Sequence, residues 1–130
     1  MAISVIRLGT PRAEGEGLRI GVVRRPPRGV RKADYPRRGY YDAWLPELAP
    51  SAKWVSWALA KPWSRARWAK YARNYRREMK APDRERLVRL LAELSRYTDF
   101  SIGCYCERAE RCHRSILRQL LAKQGAKIVR

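Results

Sequence analysis

A chain of 130 residues with 45% hydrophobic content suffices for one globular domain, holds no run of about eighteen apolar residues that could span a membrane, and starts without a signal-peptide pattern, so the expected location is the cytoplasm. Three cysteines, an odd number, argue against a secreted disulfide scaffold and for reduced thiols or a ligand site. Thirty basic against twelve acidic residues leave a formal charge of +18, which permits a phosphate-bearing partner, small molecule or nucleic acid, without demanding one, since 23 of the 30 are arginine, as a GC-rich genome would also produce.

In chain order, Ile3 to Leu8 and Leu18 to Val23 are short β-rich runs, separated by a loop whose composition is Gly9-Thr-Pro-Arg-Ala-Glu-Gly-Glu-Gly17. The second run leads into a basic stretch, Arg24 to Lys32, stiffened by Pro26 and Pro27. Arg24, Arg25 and Arg28 make this a candidate anion site; the plainer reading is a solvated loop guarding a sheet edge. From Ala33 to Pro50 the pattern is irregular, with Tyr35, Tyr40, Tyr41 and Trp44 expected to cover part of the core.

Three helices follow. Ser51 caps the first, over 51 to 60, which carries Trp54, Val55, Trp57 and Ala58 and stops before Pro62. Ser64 caps the second, over 64 to 80, where Trp68, Tyr71, Ala72, Tyr75 and Met79 recur at helical spacing and form a core stripe among exposed arginines. Pro82-Asp83 opens the third, over 84 to 97, with Leu87, Leu90, Leu91, Leu94 and Tyr97 as its expected buried face.

The chain then reaches the stretch that gathers all three cysteines and the single histidine. Phe100, Ile102, Cys104 and Cys106 alternate with Ser101, Gly103 and Tyr105, so a strand over Phe100 to Cys106 should point both early cysteines to one face. Apolar periodicity resumes from Ser115 with Ile116, Leu117, Leu120 and Leu121 and ends before Gly125, the pattern of a helix; Ala126 to Val129 reads as a last short strand. A strand, a charged loop and a helix place that loop where open α/β folds put their ligands.

Three chemistries compete for it. Arg114, His113 and Ser115 fall at the helix start, where free N–H groups and the macrodipole favour an anion, and the expectation is that Arg114 and His113 bind a phosphate directly if Glu107 and Glu110 point away. Cys104, Cys106, Cys112 and His113 offer the atoms of a tetrahedral zinc site, but adjacent Cys112 and His113 do not have the usual spacing, so no metal and no other cofactor is expected, zinc being the alternative. Cys106 or Cys112 is a candidate nucleophile, with Glu107 or His113 as proton carrier.

The run Cys104-Tyr-Cys-Glu107 followed by Cys112-His113-Arg114-Ser115 resembles the carboxyl-terminal signature of the domain of unknown function 488 family. Arg24-Arg-Pro-Pro-Arg28-Gly29 resembles that family's loop of arginine, tryptophan, proline, arginine and glycine, with Pro26 at the tryptophan position, and Asp42-Ala-Trp44-Leu-Pro-Glu-Leu-Ala-Pro50-Ser51 is similar to its next block. The resemblance implies a Rossmann-like fold and leaves the reaction open. Residues and resemblance together predict a single three-layer α/β domain over 1–130, its mostly parallel central sheet flanked by helices, in which right-handed crossovers bring the 24–32 and 106–114 loops together if their strands are neighbours.

Overall fold

The computed structural model describes residues 1–129. Four strands, β1 (Ile3–Arg7), β2 (Leu18–Gly21), β3 (Ala43–Trp44) and β4 (Phe100–Cys104), form one sheet in the order β1-β4-β2-β3. All pairings are parallel: β4 lies between β1, with Ile3 opposite Phe100, and β2, with Leu18 opposite Phe100. Every residue of β4 is buried, as expected of a central parallel strand. This is an α/β fold consistent with a single Rossmann-like domain. Among the described residues no helix is long and apolar enough to cross a membrane.

The helices are α1 (Ala52–Leu59), α2 (Arg65–Glu78), α3 (Pro82–Leu94) and α4 (His113–Lys123). Ser64 caps α2 as the sequence predicts, its Oγ accepting from the Arg67 N–H at 3.2 Å. Tyr75 of α2 and Met79 at its end, Val88, Leu91 and Ala92 of α3, and Ile116, Leu117 and Leu121 of α4 share one core with Ile3, Ile20, Phe100 and Ile102 of the sheet and Val22 just beyond β2. These strand residues alternate with Arg19, Gly21, Ser101 and Gly103, which therefore face the other way. That second face is covered by loop instead of helix: Ser101 Oγ donates to Glu16 Oε1 at 3.0 Å, and Tyr41 packs on Gly21 and Leu8 on Gly103.

Four expectations need correction. The strand at Phe100 ends at Cys104, so Cys106 belongs to the loop, whereas α4 begins at His113, where a helix start was expected. The irregular 33–50 stretch contains the edge strand β3, which pairs with β2 through Ile20 and Gly21. On the third helix, Leu90 and Leu94 are exposed, because α3 turns Val88, Leu91 and Ala92 inward, and Tyr97, also exposed, lies beyond the helix end. The last segment contributes a single bridge, Ile3 to Ile128, where a short strand was expected.

Candidate active site

Because β2 and β4 are parallel neighbours, the segments leaving them emerge at the same end of the sheet. The 24–32 and 106–114 loops come together there around one cleft, and Tyr105, just before the second loop, donates its Oη to the Arg25 carbonyl at 2.8 Å. Above them lies a cleft of about 820 Å³, closed on the far side by α1 and the α1–α2 connection. Arg24, Arg25, Arg28, Cys104, Cys106 and His113 all line it.

The floor is a cluster of thiols. Cys104 and Cys112 are buried and Cys106 is exposed; all three are free, and their Sγ atoms lie within 4.8 Å of one another, close enough to hold a metal ion. Cys104 Sγ is 3.8 Å from Cys106 Sγ. A 3-10 turn, Ala109–Arg111, reverses the chain after Cys106, and the Cys112 N–H donates to the Ala109 carbonyl at 3.0 Å, which brings Cys112 back beside β4.

Arg114 holds this loop from below. It is only 4% exposed, and its guanidinium donates to the carbonyls of Cys106 at 2.7 Å and Cys104 at 3.4 Å. Its Nε has no partner, and among the described residues no carboxylate pairs with it. A buried cation without an acid partner calls for negative charge nearby. The S–H groups of Cys104 and then Cys112 hold the Cys106 thiol below its ordinary value against the cost of burial, and the Arg114 charge adds to the effect. The Cys106 contact raises the Cys104 thiol, and the Cys104 and Cys106 contacts raise the Cys112 thiol, so of the three the exposed sulfur gives up its proton most readily.

His113 is also 4% exposed. Its Nε2 lies 2.6 Å from the Val22 carbonyl, which can only accept, so Nε2 carries the proton and Nδ1 is left unprotonated 3.7 Å from Cys112 Sγ. Burial brings its pKa down to about 4, and the ring is neutral. Its one N–H is engaged by Val22 and not free for an anion.

The structure separates the remaining candidates. Arg114 and Ser115 are absent from the cleft lining: one lies beneath the loop, and the other's Oγ donates to the Cys112 carbonyl at 2.9 Å. In this structure Arg114, the expected phosphate ligand, supports the thiol loop through the Cys104 and Cys106 carbonyls. Glu107 is exposed and also off the cleft. Arg24 is spent on the backbone, donating to Pro50 at 3.0 Å and Ala49 at 3.2 Å, which fixes the chain entering α1. Arg25 and Arg28 are exposed at the cleft.

The walls were not foreseen as a site. Trp57, Trp63, Trp68, Tyr71, Tyr40 and Tyr105 line the cleft. Two of the tryptophans already carry guanidinium groups: Arg67 sits 3.9 Å from the Trp57 ring centroid, and Arg111 of the thiol loop 4.3 Å from that of Trp63. The signal in the sequence was the crowding of Trp57, Trp63 and Trp68 into one short stretch, without the segments that complete the walls.

No curated protein and no protein of solved structure gave a significant match to the chain. Residues 3–125 match the family model DUF488-N3a, described as the active DUF488-N3 subclade, and the chain belongs to that family.

Proposed function

We propose that the protein is a cysteine-dependent enzyme that binds a phosphate-bearing ligand with a flat ring, a nucleotide or a nucleotide of a nucleic acid, and attacks it with the Cys106 sulfur. The observation that carries this reading is the exposed Cys106 thiol at the foot of an aromatic cleft, beside two buried thiols and above an arginine with no acid partner. The aromatic walls suit a planar ring, and Arg25 and Arg28 suit its phosphate. The word "active" in the subclade's description accords with catalysis. The three close thiols suit a reducing compartment, hence the cytoplasm.

The test is alkylation of Cys106 by iodoacetamide across pH, with and without mononucleotides and short RNA or DNA at two salt concentrations. A thiolate titrating well below about 8.5, together with protection by a nucleotide that weakens in Arg25→Ala/Arg28→Ala, is the expected result. An ordinary thiol with no protection would refute the reading, and protection by long polymers alone that vanishes with salt would reduce it to nonspecific charge.

One set of distances favours a second reading, a zinc site. Two thiolates bound to zinc at about 2.3 Å in tetrahedral geometry are about 3.8 Å apart, and the Cys104–Cys106 sulfur separation is 3.8 Å. The ligand atoms that lie within 4.8 Å of one another are the three sulfurs; His113 Nδ1, 3.7 Å from Cys112 Sγ, falls outside that set, so the site would rest on three thiolates. Near-stoichiometric zinc in the same preparation, lost with Cys104→Ser, together with a Cys106 that resists alkylation, would put this reading first.

A further inference from the structure

The nucleophile reading gives work to Cys106 and none to Cys104, although Cys104 is the sulfur placed 3.8 Å from it. We infer a further activity at this site: a hydroperoxide that enters the cleft oxidises Cys106, and Cys104 resolves the product as an intramolecular disulfide. The inference rests on Cys106 being the reacting sulfur.

Three observations support it. Cys106 is the exposed member of the cluster and faces the cleft, whereas Cys104 and Cys112 are buried, so an entering oxidant meets Cys106 first. Cys104 is the last residue of the central strand and is fixed by its pairing with Arg7. Cys106 lies two residues beyond, outside the strand, tied through its carbonyl to Arg114. Closing 3.8 Å to the bonded distance of about 2 Å therefore requires motion of the loop sulfur alone, while the strand stays in place.

The electrons and atoms balance in two steps. Cys106–SH and R–OOH give Cys106–SOH and R–OH: the O–O bond breaks, the sulfur is oxidised by two electrons and the peroxide oxygens are reduced. Cys104–SH then attacks the Cys106 sulfur, the S–OH bond breaks, an S–S bond forms, and hydroxide leaves with the thiol proton as water. An external dithiol returns the pair to two thiols, becoming a disulfide itself.

The experiment treats the purified protein with one equivalent of hydrogen peroxide, followed by alkylation in denaturant and tryptic mapping. Cys104 and Cys106 lie in one tryptic peptide, Tyr97 to Arg108, and Cys112 in another, so the two possible partners of Cys106 separate by mass. The expected result is loss of two thiols and of two hydrogens, with the bond internal to the Tyr97–Arg108 peptide and Cys112 still free. Cys104→Ser should instead stop with one added oxygen on Cys106, trapped by dimedone. The inference is overturned if the wild-type protein accumulates sulfenic or sulfinic acid on Cys106 with Cys104 free, if the bond joins Cys112, or if peroxide leaves Cys106 untouched. The wild-type mapping stands even where a variant fails to fold. The nucleophile reading has its own readout in the pH profile of alkylation, so a reactive Cys106 without a disulfide refutes this inference and leaves that reading in place.

Discussion

Glu16→Gln isolates the buried ion pair behind the sheet. Glu16 is 5% exposed and Arg19 1%. Glu16 accepts from Arg19, from the Ala13 N–H at 2.9 Å and from Ser101 Oγ at 3.0 Å, while Arg19 donates onward to the carbonyls of Thr10 and Gly39 next to Tyr40 of the cleft wall. Burial alone would raise the Glu16 pKa; the Arg19 guanidinium, the Ala13 N–H and the Ser101 hydroxyl overcome that and bring it from 4.5 to about 2. At about 1.4 kcal/mol per pH unit, the depression corresponds to about 3 kcal/mol, within the range of about 3–5 kcal/mol for breaking a buried pair by removing one partner. The folded pKa is the lower one, so this stability is fully present above pH 4.5 and is lost as the pH falls towards 2. Urea unfolding followed by tryptophan fluorescence should show the variant about 3 kcal/mol less stable than wild type at pH 6. That gap should close as the pH falls to 2, whereas the background from Asp34 and Asp42, also depressed, is common to both proteins. A gap unchanged between pH 6 and pH 2 would refute the assignment of the charge to Glu16.

Gly103→Ala places a Cβ 2.6 Å from Leu8 Cδ2 and 2.8 Å from Ile6 Cδ1; it should cost about 1–3 kcal/mol, read as a lowered urea midpoint, and an unchanged midpoint would contradict the close packing under the thiol cluster. His113 should appear by ¹⁵N NMR as the neutral Nε2–H tautomer at pH 6. Its folded pKa of about 4 lies below the ordinary 6.5, so its contribution is whole above 6.5 and is lost as the pH falls towards 4; an imidazolium at pH 6 would overturn the buried neutral ring.

The elements were legible where one periodicity ran long enough to exclude the other. Trp68, Tyr71, Tyr75 and Met79 gave α2, and the alternation through Phe100, Ile102 and Cys104 gave β4 with its central position. β3 was illegible because two residues, Ala43 and Trp44, carry no period; only their pairing to Ile20 and Gly21 makes them a strand. The leucines of α3 misled because hydrophobicity marks a face only when a partner element exists, and Leu90 and Leu94 have none. At the site, the Cys-His-Arg element was visible as a motif, but the role of Arg114 depended on side-chain direction, which turned it to the carbonyls of Cys104 and Cys106. The aromatic walls were hidden for a different reason: Trp57, Trp63 and Tyr40 come from separate segments that only the fold brings around Cys106.

The pairing of β1 with β4, Ile3 against Phe100, sets when the molecule can become itself during synthesis. A ribosome releases β1, β2, β3 and three helices before the strand that joins β1 to β2 exists, so for most of translation two apolar strands lack the neighbour that satisfies their backbone. Closure of the sheet then waits for β4. The cysteines arrive with β4 and the loop after it, so the nascent protein carries no assembled thiol cluster until that segment has emerged. In the interval, repulsion among its many arginines opposes the pairing of one incomplete chain with another.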